Sequence, residues 1–373
     1  MPQAYSELDP SPRLLLGPGP SSAHPRVLRA MSTPLLGYLD PEFLKMLDET
    51  QDLLRYVFQT SNELTLPVSG TGMAGMETVL SNLLEPGERA LVCAAGFFGD
   101  RLEEVALRHG AEVTKIEKPW GEVFTPEEID AALRTAQRSA KVVALVHAET
   151  STGALQPMEG IAEAAHRYGA LLVMDTVTSL GGAPVKLDKW GVDAAYSGTQ
   201  KCLGCPPGLA PVSLSERARE MIRNRKRKPD AWYFDLELLA KYWGKERVYH
   251  HTVSATLVYA LREGLRLVTD EGLEARWARH RANAEYLWEG LQELDLAPFV
   301  PPAHRLPTLT TVRVPAGVDE ASVRTRLRED YGIEIGAGLG PLKGQVWRVG
   351  LMGYSSRKEN VMLLLGALKE ILK

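Results

Sequence analysis

Residues 170–208 read ALLVMDTVTSLGGAPVKLDKWGVDAAYSGTQKCLGCPPG. ALLVMD (170–175) is an unbroken apolar run closed by an acid, and DAAYS (193–197) is a second strand-like run. Strands that read as continuous apolar runs, rather than alternating ones, belong to sheets covered on both faces. The flanking sequence has the same character. On the N-terminal side, LTLPV (64–68) leads into GMAGMETVLSNLL, whose Met73, Met76, Val79, Leu80 and Leu83 recur at helical spacing. RALVCAA (89–95) precedes GDRLEEVALRHG, with Gly110 placed to end that helix. AEVTKI (111–116) follows, and Thr125-Pro126-Glu127-Glu128 is a capping box with proline at the first helical position. KVVALVH (141–147) and LAPVSLS (209–215) complete the series. Strands alternating with helices predict an α/β fold with a parallel sheet. In such sheets ligands bind beyond the carboxyl ends of the strands, so residues just after each strand are the candidates for chemistry.

Residues 252–294 read as long helices, after which a shorter α/β pattern returns. It comprises TLTTVRV (308–314), a helix from Asp319 to Tyr331, IEI (333–335), QVWRVGL (345–351) and a helix opened by a second box, Ser356-Arg357-Lys358-Glu359. The expected organisation is a large domain over 21–270, a smaller C-terminal α/β domain over 271–373, and an N-terminal segment, 1–20, lying across the two. That segment ends in LLLGPGP and is too proline-rich for an element of its own. Two domains also suit a chain of 373 residues, at roughly 100–200 residues each.

Composition narrows the function classes. With 43 basic and 47 acidic side chains the net charge is −4, which gives no global attraction to nucleic acid or anionic membranes. No apolar run approaches the ~18–20 residues of a membrane-spanning helix, and MPQAYSELDPSPR lacks the apolar core of a secretory signal. Cys93, Cys202 and Cys205 are sparse and odd in number, which argues against a disulfide framework and for a reducing compartment. The C-terminal ILK is not the peroxisomal SKL address. The expectation is a soluble cytoplasmic enzyme.

Gly70-Thr71-Gly72-Met73-Ala74-Gly75 fits G-x-G-x-x-G after a strand and at the start of a helix. Free backbone amides and the helix dipole favour an anion there. A dinucleotide fold also needs an acid at the end of the next strand, and that strand ends Cys93-Ala94-Ala95-Gly96. A single phosphate is therefore read, and a nicotinamide cofactor is disfavoured. Asp175 and Lys201 both fall at the ligand-binding edge; either alone would be an ordinary turn acid or surface lysine. Beside an anion cradle they suggest a lysine able to form a Schiff base, a carboxylate able to hold a pyridinium nitrogen, and a phosphate site.

Other motifs have plainer readings. Cys202-Leu203-Gly204-Cys205 could suggest zinc or redox chemistry, and with His147-Ala148-Glu149 it loosely mimics a zinc-deaminase pattern. Small packing residues beside the lysine are the simpler account, and no metal is expected. Arg223–Lys228 has no aromatic interleaving and reads as a solvated helix end. His250 and His251, being adjacent, would not face one ion on a helix or strand. Arg348, in an apolar strand, calls for a partner, either a substrate carboxylate or an internal acid.

At this point a family resemblance emerges. LLLGPGPSSAHPRVLRAM, VSGTGMAGMET, LEPGERALV, HAETSTGALQP, VMDTVTSLGG, YSGTQKCLGCPPG, YHHT and IGAGLGPLKGQVWRVGLMG, in that order, make the chain similar to class V, fold-type I aminotransferases dependent on pyridoxal 5'-phosphate. Within that group it resembles alanine–glyoxylate / serine–pyruvate aminotransferases over nearly its whole length. The resemblance implies a large domain with a mostly parallel seven-stranded sheet. It also implies that Lys201 carries the cofactor and later acts as base, that Asp175 pairs with the ring nitrogen, and that Val177 packs under the ring. Thr150 would approach the ring hydroxyl, while Thr71, Gly72 and Met73, with Gln200, would hold the phosphate. Phe98 stands at the ring-stacking position, often Trp or Tyr, and Met73 where some members have His. Tyr249 and Thr252 would reach the phosphate of a neighbouring subunit, implying a homodimer with shared sites. Arg348 would hold the substrate α-carboxylate, near Gly19.

The activity so implied is transfer of an amino group from a small amino acid, alanine or serine, to a small 2-oxo acid, glyoxylate or pyruvate. Ureidoglycine–glyoxylate and serine–glyoxylate aminotransferases stay open, since no residue specifies the donor side chain. A cysteine desulfurase would need a nucleophilic cysteine after Cys205, and none follows. An NAD-binding oxidoreductase is a distant alternative.

Overall fold

Seven strands form one sheet in the computed structural model, which describes residues 5–136 and 138–373. They are β1 (Leu64–Ser69), β2 (Arg89–Ala94), β3 (Glu112–Glu117), β4 (Val142–Val146), β5 (Leu171–Asp175), β6 (Ala194–Tyr196) and β7 (Leu209–Leu214). Their order is β1-β7-β6-β5-β4-β2-β3. The pairings among β2 to β6 are parallel, whereas β7 runs antiparallel to both β1 and β6. All residues of β5 are buried, as its unbroken apolar run requires of a central strand. The mostly parallel sheet is the one expected, and the fold is fold type I.

The helices start and stop where local chemistry says they should. Pro41–Phe58 has Asp40 as N-cap, its side chain accepting from the Glu42 amide, and ends at Gln59 in the left-handed region (φ 50°). The capping box at Thr125 and Glu128 forms as read, and Gly110 (φ 79°) follows the helix Phe97–Arg108. The second box does not form. Arg357, not Ser356, caps the helix Lys358–Ile371, without a side-chain bond; the Ser356 hydroxyl instead accepts from Asn283. With the helix beginning at Lys358, Ser356 stands one residue before the cap position, and its hydroxyl is turned to another helix.

One hydrophobic core spans Val27 to Leu273 around the seven-stranded sheet. A second comprises Leu16 and residues from Leu287 to Leu368. Beside the latter lies a three-stranded antiparallel sheet of β8 (Leu309–Arg313), β9 (Gly336–Ala337) and β10 (Val346–Gly350), ordered β8-β10-β9. IEI does not join it. Ile333–Glu334 pairs in parallel with Leu14–Leu15 instead, so the N-terminal segment does own an element, anchored by Leu16, which is fully buried. Farther on, the Ser21 hydroxyl donates to the Lys201 carbonyl (2.7 Å). Among the described residues no helix is long and apolar enough to cross a membrane.

Candidate active site

The carboxyl ends of β5 and β6 and the start of the helix Gly72–Leu83 converge on one pocket. It encloses about 110 Å³ and is lined by Thr71, Gly72, Met73, Phe98, Thr150, Asp175, Val177, Tyr196, Gln200 and Lys201, with Met76 behind them. Larger clefts of about 480 and 430 Å³ exist elsewhere. Their charged residues mostly pair with each other, as Arg55 with Asp52 and Arg276 with Glu271, so size does not mark the site. Convergence does.

The glycine motif works by close approach as well as by open amides. Gly70 sits at φ 141°, a region hostile to side chains. A Cβ on Gly72 would lie 3.1 Å from Val177 Cγ2, and one on Gly75 would lie 3.0 Å from the Tyr196 Cβ. The helix is thereby let down onto the strand ends. Its N-cap Thr71 makes no side-chain bond, and among the described residues the amides of Thr71, Gly72 and Met73 meet no acceptor. The Gln200 side-chain oxygen, beside them, is buried without a partner. The open amides can hold an anion, to which the Gln200 side chain contributes only when its amide is turned over to present the NH2, since the oxygen accepts and does not donate.

Asp175 is buried, with Oδ1 accepting from the Val177 amide (2.8 Å) and Oδ2 from the Tyr196 hydroxyl (2.7 Å). Burial nonetheless pushes its carboxyl up to about 7, so it is short of positive charge and suited to a cationic ring nitrogen. Lys201 is pulled the other way, to about 8, by burial and by the Arg348 charge. Its Nζ donates to the Pro18 carbonyl, and a Cβ on Gly19 would fall 2.6 Å from it. Lysine near neutrality can act as nucleophile or base.

Arg348 on β10 donates through Nε to the Ala337 carbonyl (2.7 Å) and through Nη1 to the Thr150 carbonyl (3.1 Å). Among the described residues no acid forms an ion pair with it, so the internal-acid reading does not hold. Two carbonyls leave donors spare for a carboxylate. A Cβ on Gly336 would meet both Pro18 (2.4 Å) and Arg348 (3.5 Å), which puts the GPGP segment beside the arginine. Tyr249 and Thr252 lie outside this pocket. Tyr249 is 51% exposed and its hydroxyl is 3.2 Å from that of Thr252.

Three further readings are sharpened. Arg225 is no solvated helix end: it donates to the carbonyls of Asn82 (2.6 Å) and Leu84 (3.0 Å), closing the helix Gly72–Leu83. His250 and His251 lie in a bend, not on a helix or strand, and their Nδ1 atoms are 2.8 Å apart; no group of three metal-ligating residues occurs among the described residues. Cys202 and Cys205 are buried, with thiols raised by burial to about 11 and 12, and Cys202 fills space against Gly182. Tyr196 and Glu149 went unrecognised. A tyrosine inside an apolar run reads as core, and nothing in spacing ties Glu149 to the helix it serves.

A fold-type I sheet with an acid and a lysine facing an open helix end defines an aminotransferase-like protein. The chain belongs to the class-V aminotransferase family, whose model matches residues 15–363. It is similar to the solved structure of an alanine–glyoxylate aminotransferase from Nostoc sp., at 55% identity and a TM-score of 0.98, covering 100% of this chain and 98% of that one. The structure of ureidoglycine–glyoxylate aminotransferase from Bacillus subtilis matches at 45% identity and a TM-score of 0.96, covering 98% and 94%. The alanine–glyoxylate aminotransferase of Oryctolagus cuniculus is 47% identical over 365 residues, 97% of this chain and 93% of that protein.

Proposed function

We propose that this protein uses pyridoxal 5'-phosphate to move the amino group of a small amino acid, alanine or serine, to a small 2-oxo acid, glyoxylate or pyruvate. The observation that carries the reading is the convergence of Asp175, Lys201 and the open amides of Gly72 and Met73 on one pocket, with an acid-free Arg348 at its edge. The open amides of Gly72 and Met73 and the raised Asp175 carboxyl both fit a phosphorylated pyridine, which would bring phosphate oxygens to the first and a ring N–H to the second. When bound, that group supplies an electron sink for charge developing at the donor α-carbon.

The chain's own residues divide the remaining work. Thr71, Gly72, Met73 and Gln200 hold the phosphate. Val177 and Phe98 confine the ring, Thr150 meets its hydroxyl, and Asp175 keeps its nitrogen protonated. Arg348 orients the substrate carboxylate through the donors its two carbonyls leave free. Lys201, its pKa lowered to about 8 by burial and the Arg348 charge, would be the base that takes the substrate α-proton at its Nζ. Gly19 keeps the space in which its amine swings.

Tyr249 and Thr252 are assigned to the phosphate of a second copy, making a homodimer with shared sites. That neither lines its own pocket supports this, as do the exposed apolar residues Leu35, Tyr38, Trp232, Val248 and Tyr249. A division into domains at about residue 270 is supported by the two cores. Glyoxylate as acceptor is supported by relatives of both kinds; the second reading, ureidoglycine as donor, rests on the Bacillus subtilis match.

The test is an absorbance scan of the purified chain with pyridoxal 5'-phosphate, then alanine and serine assayed against glyoxylate and pyruvate. Lys201→Ala is expected to lose the Schiff-base absorbance and turnover. An unchanged spectrum in that variant would refute the assignment.

A further inference from the structure

Glu149 ends the short strand Ala148–Glu149 after β4, which pairs antiparallel with Ala154–Leu155 and leads into the turn at 150–153; only 5% of it is exposed. Its Oε1 accepts from the amide (3.0 Å) and the hydroxyl (2.6 Å) of Ser151. Its Oε2 accepts from the amides of Phe98 (3.2 Å) and Gly99 (3.3 Å). The Ser151 hydroxyl accepts in turn from the Phe97 amide (3.0 Å). The first three amides of the helix Phe97–Arg108 are thus satisfied from another part of the chain. The helix's own cap residue, Gly96, has no side chain to offer. Its glycine identity is required, because a Cβ there would fall 2.4 Å from Glu149 Cγ. A carboxylate at this end is also favoured by the helix dipole. Burial raises its proton affinity, and the hydrogen bonds from Ser151, Phe98 and Gly99 work against that rise.

The same turn touches the rest of the site. Thr150, between the two capping residues, bonds through its hydroxyl to Thr178 and through its carbonyl to Arg348. One short segment therefore fixes Phe98, Thr150 and the arginine together. We propose that Glu149 is a positioning residue, whose carboxylate holds Phe98 against the cofactor ring and keeps Thr150 and Arg348 in register with it. This rests on the pyridoxal 5'-phosphate reading above.

Glu149→Gln is the discriminating variant. An amide can still accept from Ser151, but its NH2 then faces the Phe98 and Gly99 amides, donor against donor. Titration of the full-length apoprotein with pyridoxal 5'-phosphate is expected to show affinity weakened about tenfold, with a reduced induced circular dichroism of the bound cofactor. Thr125→Ala, which uncaps the remote helix Pro126–Arg134, should lower the melting temperature while leaving both quantities unchanged. In a Phe98→Leu background the effect of Glu149→Gln should shrink, since coupled residues are not additive. If Glu149→Gln does not fold, Ser151→Ala decides the matter by the same readouts, in the same direction and at smaller size. Wild-type affinity and dichroism in the folded variant, or full additivity with Phe98→Leu, would overturn the proposal. A wild-type chain that takes up no cofactor would overturn the reading beneath it, and this inference with it.

Discussion

The Tyr196 hydroxyl sits 2.7 Å from Asp175 Oδ2, with both residues buried. A hydrogen bond to a charged group is worth ~1.5–3 kcal/mol, so this tyrosine helps keep Asp175 ionised in a place where burial opposes it. Tyr196→Phe is expected to lower kcat by about tenfold to a hundredfold while KM for the amino donor changes little, because the phenol touches the acid and not Arg348. Steady-state kinetics with the donor varied would check this; an unchanged kcat would show that the Val177 amide alone suffices. Asp175 was legible in the sequence only together with Lys201 and the glycine-rich anion cradle, since alone it reads as an ordinary turn acid. Tyr196 was not, since its polar end has meaning only once the neighbouring strand's last side chain is beside it.

Connecting segments here are held by neutral histidines. His250 Nε2 faces the Trp232 carbonyl at 3.4 Å, which can only accept, so His250 Nδ1 accepts from His251 Nδ1 and His251 Nε2 accepts from the Ser69 hydroxyl. His280 donates from Nδ1 to the Arg276 carbonyl and accepts at Nε2 from the Gly353 amide. A proton on any of these acceptors would break the chain. Burial accordingly lowers His251 to about 4 and His280 and His147 to about 3, from an unfolded value of 6.5. Within that window the unfolded state binds more protons, so stability rises with pH and is lost as pH falls from 6.5 towards 4. Asp175, raised to about 7, acts with the opposite sign in the cofactor-free chain. Three histidines outweigh the two raised acids, Asp175 and Glu149, so the urea midpoint of the apoprotein should fall across this window, and less steeply in His280→Gln. A flat midpoint would contradict it. At this scale the sequence was informative where an element carries its own signals, as at Thr125 and Gly110. It misled at Ser356, whose hydroxyl goes to another helix, and it left the strand at Ile333 without its partner, which lies far upstream.

Across the whole molecule, the start of the helix Leu273–Glu293 is where the two cores meet. Arg276, nearly fully buried, donates to the carbonyls of Gly181 and Cys202, while Arg279 donates to that of Gly353 (3.2 Å). Glu271 braces both arginines at 2.7 and 2.6 Å; burial alone would raise its carboxyl, and the two guanidiniums hold it below the usual range. Breaking a buried pair costs ~3–5 kcal/mol. Because Glu271 is partly exposed and Arg276 keeps two carbonyls, Glu271→Gln should fall at the lower end, read as a lower urea midpoint. A change below ~1 kcal/mol would mean that the carbonyls carry the arginine unaided. The parallel sheet was legible as continuous apolar runs. The antiparallel placement of β7 was not, because direction leaves no trace in composition.

The pairing of Leu14–Leu15 with Ile333–Glu334 has a consequence for how the molecule is made. A ribosome delivers the three leucines at 14–16 long before it delivers the strand that covers them, and the Leu16 carbonyl receives its bond only when the Gly350 amide has emerged. Until then an apolar segment stands open in the nascent chain, the condition under which aggregation competes with folding. Arg348, packed beside the same N-terminal segment at Pro18, is likewise delivered late. Assembly of the catalytic centre is thereby gated by translation through residue 350, and yield in a cell will respond to elongation rate and chaperone supply more than the final stability alone would suggest.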